Sequence, residues 1–563
     1  MGAYGMRKVK FALAIFLSAA FATFFLNILS APSAHAGLGD LPVQDDGRIK
    51  PYDTFAREML NLMWGHETYK ERKASDVVFS WMLIPEEWDN TKFVLVRHNG
   101  LREALGLDHE RLYYSPNELI TNSHLSIMMQ DLKNKREAQE KLDPFYQSLQ
   151  TLENQLSAYQ SLRVGHGVRV VPVDAKTARW LDIADLKDAD KMRFQSITTA
   201  FVSMAAASAK GDHASEASSA DNLDKAVNNF VAFAQERFGD YAGSTRIRAE
   251  TAYNHLQPFR FAWILYFLAL CFFSFAYFGT RPYWGKIGWG FTAGAALFHA
   301  TGFLFRIYIL ERPPVSNMFE TVVWVAWGTV LLATVLYRFS RSAIIPVAAT
   351  LVATLSLILC DVSSSVLDSS LMLLQPVLRD NFWLMTHVII IVSSYAAFFL
   401  AFFLGDIVLF YFWRDEKKHA QKIQEGAQAI YRSVQVGVVL LASGIILGGV
   451  WADYSWGRFW GWDPKETWAF IALLGYVLVL HGRIAGWLRH FGLAAAAVIS
   501  FSLVIMSWYG VNFVLGAGLH TYGFGAGGVE YVAGFVAAHL LFAAFVITLR
   551  QSRLRSDRTP SGF

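Results

Sequence analysis

The sequence predicts an all-α polytopic membrane protein. About nine transmembrane helices should follow a signal or anchor and an N-terminal, mainly helical extracytoplasmic domain. Three observations carry this fold class. Hydrophobic residues make up 54% and aromatic residues 15% of the 563 positions, and the mean hydropathy is +0.29, which fits a chain with much embedded length and a soluble part. From Pro258 onward, apolar runs recur at about 20 residues, the length that crosses a bilayer. Lys and Arg gather in every second loop between those runs, as they do on the cytoplasmic side.

Composition also excludes functions. The formal net charge is +4, small for this length, so nothing points to nucleic acid. The two cysteines, Cys271 and Cys360, lie in apolar stretches, and no CxxC occurs. The chain therefore brings no dithiol pair, zinc ribbon or CxxCH motif of its own.

Residues 1–36 are read as a signal peptide or anchor: Arg7, Lys8 and Lys10 precede an apolar run from Phe11 to Leu29, and Ala34-His35-Ala36 fits a cleavage site. Residues 37–255 are polar, mixed in charge and expected outside the cytoplasm. They open with LPVQDDGRIKPYDTFARE, where Gly47 and Pro51 punctuate turns. Residues 119–162 predict a helical hairpin broken near Pro144. The Ala/Ser-rich run from Ser203 to Asp221 reads as a loop or linker. His66, His98, His109, His124, His166 and His213 show no ligand spacing and read as surface residues. Residues 256–563 form the membrane domain. Spans are expected near 259–279, 286–308, 318–337, 342–360, 383–412, 431–450, 466–485, 491–514 and 529–549.

The loops with Arg281/Lys286, Arg338/Arg341, Arg414 to Arg432 and Arg483/Arg489, and the tail from Arg550, are assigned to the cytoplasm. The loops at 309–317, 361–382, 451–465 and 515–528 then face the other side with the soluble domain.

One external stretch stands out. Residues 451–468 read WADYSWGRFWGWDPKETW and hold five of the 18 tryptophans. An interfacial aromatic belt needs one or two rings per helix end, and it does not need Gly457, Gly461, Asp463 and Pro464 between them. Close-spaced indoles with glycines suit a flat, water-shielded surface for a planar aromatic ligand. His387 and His520 fall on the same face, and neutral imidazole is a standard axial ligand of haem iron. Alone, each would read as a hydrogen-bonding interface residue; the tryptophans between them favour ligation. His481 and His299 lie within spans, where ionisable groups are costly. His481 suits interfacial anchoring or a site, and His299 an interhelical hydrogen bond or a second ligand. His539 is read as packing. Arg306, Arg312 and Arg458 could pair with ligand carboxylates such as haem propionates, or simply cap and pack.

These residues match a known family. WGRFWGWDPKETW resembles the WWD signature of haem-handling proteins. RPPVSNMFE, HVIIIVSSYAAF, LHGR and GAGLHTYG resemble the CcsA (ResC) branch of cytochrome c maturation, System II. LPVQDDGRIKPYDTFA resembles the segment preceding the CcsA part in long or fused CcsBA proteins. The resemblance implies that His387 and His520 are the external axial ligands and the catalytic histidines. It makes the WWD loop the platform for haem b, with Trp451, Trp456, Trp460, Trp462, Asp463, Trp468 and Arg458 in the binding set. His481 matches the family's transmembrane histidine. Residues 37–255 carry no ResB-like region, so the other transmembrane ligand is expected from a separate CcsB partner, with His299 as the alternative.

The implied function is haem delivery to the external face of the inner (cytoplasmic) membrane and covalent attachment to the CxxCH thiols of apocytochrome c. CcsB and a thiol-reducing, thioredoxin-like protein are the implied partners. A haem exporter without synthase activity and a membrane b-type electron carrier are the alternatives. The carrier would want two histidine pairs within spans.

Overall fold

The computed structural model describes residues 37–556 apart from 141, 174–178, 241, 280, 282, 364–366, 373–380, 517 and 519–527. The expected signal or anchor lies outside the described residues. The chain forms two compact units that divide between Leu256 and Gln257.

The N-terminal unit begins with a β-hairpin, β1 (Pro42–Asp45) and β2 (Arg48–Pro51), in antiparallel register with Val43 opposite Lys50. Its turn is Asp46-Gly47, both at positive φ (47° and 77°). Asp-Gly is the dipeptide that a two-residue hairpin turn of matching twist favours. Pro51 then precedes α1 (Tyr52–Trp64), which ends at Gly65 in the left-handed conformation (φ 80°). The expected hairpin of helices is present as α2 (Ser123–Glu137) and α3 (Pro144–Arg163). Asp143 caps α3 by accepting the Tyr146 N–H at 2.9 Å, with Pro144 at the first helical position. Strands β3 (Arg169–Pro172) and β4 (Trp180–Asp182) complete a four-stranded sheet of order β2-β1-β3-β4. The unit is thus not helical throughout. Its strands are two to four residues long, too short for a period-two pattern to announce them.

The Ser203–Asp221 run is not a loop. It belongs to α4 (Asp188–Ala209) and α5 (His213–Phe238), broken only around Lys210–Asp212. Alanine is the best helix former, and the serine and threonine hydroxyls turn back onto the preceding turn, as Ser203 does to the Thr199 carbonyl (3.0 Å). Helix α6 (Ser244–Leu256) ties to the β-hairpin, where Arg48 grips Glu250 bidentately (2.7 and 2.8 Å), and to α1, where Asn254 donates to Asp53 (3.0 Å) and Thr54 (2.8 Å). Two histidines do more than spacing suggested. His98 Nδ1 accepts the Leu101 N–H (3.1 Å) to cap a short helix. His166 meets the half-buried Asp182 at 3.5 Å, with Asp185 alongside.

In the second unit, nine helices among the described residues are long and apolar enough to cross a membrane. All nine expected spans are found, and the chain is a polytopic all-α membrane protein with an N-terminal region. They are α7 (Pro258–Phe278), α8 (Tyr283–Leu310), α9 (Met318–Ser340), α10 (Ile344–Val362), α11 (Ile389–Asp415), α12 (Ala420–Trp456), α13 (Pro464–Ile484), α14 (His490–Ile505) and α15 (Val529–Ser556). Helix α11 is extended at its start by a π-helical stretch, Leu384–Val388, and α14 at its end by another, Met506–Leu515.

Helix α11 packs against α9, α10, α12, α14 and α15. Glycines let backbones approach: a side chain at Gly437 would strike the Phe398 ring, and one at Gly405 would strike the Ala494 carbonyl. Phe398 stacks on Tyr476 of α13 at 3.7 Å. His539 of α15 is not mere packing: its Nδ1 lies 2.8 Å from Asp406 of α11.

Candidate haem site

Helices α9, α11 and α13 begin, and α12 and α14 end, at one end of the bundle. A pocket of about 190 Å³ opens there, walled by residues of all five segments, among them His387, Trp451, Trp460, Lys465, Trp508 and Asn317. Both π-helical stretches contribute to its wall. Such irregular turns rotate side chains out of helical register and gather at functional sites.

His387 sits on the first of them. Its Nδ1 lies 2.8 Å from the Gly444 carbonyl of α12. A carbonyl can only accept, so Nδ1 carries the proton and the lone pair is on Nε2, as a metal ligand requires. The ring lies nearly parallel to Trp451 (15°, centroids 6.3 Å apart). The GIILGGV sequence of α12 makes room: a side chain at Gly448 would overlap the imidazole, and one at Gly449 the Phe459 ring.

The tryptophan loop is built differently from the expected flat surface. Helix α12 stops at Trp456 because Gly457 takes a left-handed conformation (φ 69°). Trp456 stands edge-on to Trp451 (62°), and Trp462 edge-on to Trp460 (90°). Ring quadrupoles favour this over a coplanar array. Trp451 and Trp460 line the pocket, whereas Trp462 is 69% exposed and Trp468 is half-buried outside the lining.

Asp463 and Glu466 form a capping box at the start of α13. Asp463 Oδ1 accepts the Lys465 N–H (2.9 Å). Glu466 Oε2 accepts the N–H groups of Asp463 (3.2 Å) and Gly461 (2.8 Å). Pro464 occupies the first helical position. In this structure the D of the WWD signature therefore shapes the turn that carries the tryptophans. Arg458 bonds Glu466 at 3.3 Å and lies over Trp456 at 5.7 Å, and a side chain at Gly461 would collide with its guanidinium.

The other arginines are committed to packing too. Glu320, fully buried, receives Arg306 Nε (2.9 Å), Arg312 Nη1 (2.7 Å) and the Ser316 N–H (2.8 Å). Arg306 and Arg312 also donate to the carbonyls of Ser369, Ser370 and Met372. Asn317 caps α9 by accepting the Glu320 N–H (2.8 Å). This cluster braces the RPPVSNM loop, four of whose residues, Val315, Ser316, Asn317 and Met318, line the pocket.

The remaining histidines are elsewhere. His520 lies outside the described residues; Gly518, two positions earlier, packs against Asp463 and Pro464. His481 is exposed in the last turn of α13, its Nδ1 2.8 Å from the Val477 carbonyl. It lies about 18 Å along that helix from Ala469, the nearest lining residue on α13, at roughly 1.5 Å per residue. His299 is fully buried, its Nε2 3.0 Å from the Val323 carbonyl, among Phe259, Tyr266, Phe303 and Trp327. It does not line the pocket. Cys271 and Cys360 do not line it either.

Comparison with known proteins adds the lineage. Residues 315–520 match the family model described as Cytochrome C assembly protein. The chain is similar to protein NrfI of Wolinella succinogenes, 27% identical over 509 residues, covering 86% of this chain and 54% of that protein. It thus spans about half of NrfI. It is also similar to the cytochrome c biogenesis protein CcsA of Prochlorococcus marinus. Against strain MIT 9301 it is 35% identical over 254 residues, covering 39% of this chain and 79% of that one. Against strain MIT 9515 it is 35% identical over 263 residues, covering 41% and 82%. A solved structure titled Cytochrome c Heme Lyase CcmF aligns at a TM-score of 0.38 and 14% identity, covering 52% of this chain and 50% of that one.

Proposed function

The chain belongs to the CcsA family of cytochrome c biogenesis proteins, and from that premise we propose that it holds haem at the His387 pocket and joins it to apocytochrome c, with a CcsB-type membrane subunit as partner. The observation that supports this is the His387 geometry: an imidazole held through Nδ1 by the Gly444 carbonyl, which sets the tautomer a metal ligand needs, beside a near-parallel indole in a largely apolar pocket. Haem is the substrate here. His387 supplies one axial ligand and His520 the opposite one, while Trp451 and Trp460 exclude water and orient the ring.

The cavity is smaller than the ~300–1,000 Å³ of pockets that bury a whole drug-sized ligand. A porphyrin would be gripped by an edge, leaving other edges open to a second polypeptide. The CxxCH segment presents two thiols to the two vinyl groups. Each S–H adds across one C=C: a sulfur–carbon bond forms, and the proton ends on the neighbouring vinyl carbon. No net oxidation occurs, so the chain needs no dithiol; keeping the apocytochrome reduced falls to a separate thiol-reducing protein. The rate gain comes from proximity and orientation.

Charge bias in the loops supports an orientation in the inner membrane with the Trp-rich end and the N-terminal domain outside the cytoplasm. His481, exposed at the opposite end of α13, is then the point where haem enters, with the second ligand from the partner. Co-expression with a CxxCH reporter, with and without the CcsB-type subunit, tests the reading. Covalent haem on the reporter with the partner present is the expected result. Haem bound by the complex but never attached under either condition would leave export as the activity.

A further inference from the structure

Resting on the haem reading above, we propose that Lys465 and Trp508 form a carboxylate-binding subsite in the wall of the His387 pocket. It would take an acidic side group of the bound ligand. Arg306, Arg312 and Arg458, the cations the sequence offers for this task, are held by Glu320 and Glu466. Among the described residues, the basic and acidic side chains lining the pocket are His387, Lys465 and Glu466. Glu466 is taken by Arg458 and by the N–H groups of Gly461 and Asp463. That leaves Lys465 as the cation at this wall.

Lys465 is the second residue of α13, and Asp463 beside it is engaged as the helix cap. Its Nζ makes one long hydrogen bond among the described residues, 3.4 Å to the Trp508 carbonyl. Asn512 Nδ2 donates to the same carbonyl at 3.1 Å, so even that acceptor is shared. An ammonium group against a mostly apolar pocket is costly unless an anion accompanies it. Trp508 lines the same pocket, and its Nε1, buried, has no acceptor among the described residues. A buried indole N–H ordinarily has one. A carboxylate supplies both deficits, accepting from an ammonium and an indole N–H at once. The pocket is thus bipolar, with a metal-ligating imidazole and a carboxylate-binding pair. This orients an asymmetric porphyrin, whose acidic edge goes to Lys465 and whose vinyl edge is left for the thiols.

The test compares iron protoporphyrin IX with its dimethyl ester, titrated into the purified full chain and followed by the Soret band. The wild type should bind the free acid at least about tenfold more tightly, the factor expected of one charge-assisted hydrogen bond. Lys465→Met should bring the two affinities together, and Lys465→Arg should restore the difference. Trp508→Phe should reduce the preference by a smaller factor, and it serves should the Lys465→Met protein not fold. Equal wild-type affinity for acid and ester overturns the proposal. So does a preference that survives Lys465→Met. In both cases a His387-dependent spectrum would leave the haem site standing. A wild type that binds neither porphyrin, or a His387→Ala protein that binds both unchanged, overturns the haem reading and the subsite with it.

Discussion

Replacing Glu320 by Gln probes the brace under the pocket. Glu320 is buried with Arg306 at 1% and Arg312 at 7% exposure. It accepts from both guanidinium groups and from the Ser316 amide. The amide keeps the shape but removes the charge and turns an NH₂ toward donors. At least two charge-assisted bonds, each worth about 1.5–3 kcal/mol, are lost. Breaking a buried ion cluster by removing one partner costs about 3–5 kcal/mol, because the remaining charges stay out of water. With an unfolding entropy of about 2.1 cal/mol/K per residue, that lowers the midpoint of the membrane unit by roughly 5 °C or more. Thermal unfolding in detergent, read by tryptophan fluorescence, measures it. A Glu320→Gln protein that melts within 1 °C of wild type would refute the brace.

Other perturbations test separate elements. Gly448→Val places branched carbons where the His387 ring sits and should abolish the haem spectrum while the protein still folds; retained haem would show that the ring is not held against α12. Asp463→Ala removes a capping box and should destabilise α13 by about 1 kcal/mol, with Glu466→Ala giving a similar loss, both read from the denaturant midpoint. In the N-terminal unit, burial raises the carboxyls of Asp40 and Asp76 above their ordinary values. A raised value in the folded state means tighter proton binding there, so this stability is present in acid and lost as pH rises through the folded values. Acidification from neutral should therefore increase hydrogen-exchange protection around both residues, corrected for intrinsic rates. Asp76→Asn should flatten the response near α1, and a flat wild-type response would contradict the assignment.

Much of the fold is legible because bilayer thickness acts on length and hydropathy alone, so each apolar run could be placed without tertiary knowledge. Short strands and the Ala/Ser run were less legible. The first have too few residues to show a period, and in the second helix propensity outweighed a composition that also suits linkers. At the site, His387 and the tryptophans were visible as residue types on one face. The stacking of His387 on Trp451, and the hold of Gly444 on its ring, depend on the packing of α11 against α12, between residues 57 apart in the chain. DPKE carried a readable capping signal, yet the functional weight of the WWD signature drew Asp463 toward the ligand. Lys465 gains meaning only when the end of α14 brings Trp508 beside it. Arg306 and Arg312 look available because their acceptor, Glu320, lies 14 and 8 residues further along the chain, in α9.

The central claim is that His387 binds haem iron through Nε2. The direct measurement is the absorption and resonance Raman spectrum of the purified His387→Gly chain, before and after adding imidazole. Loss of the low-spin haem signature in the variant, with recovery on imidazole addition, is the expected result. A His387→Gly protein that keeps the wild-type haem content and spectrum without imidazole would contradict it.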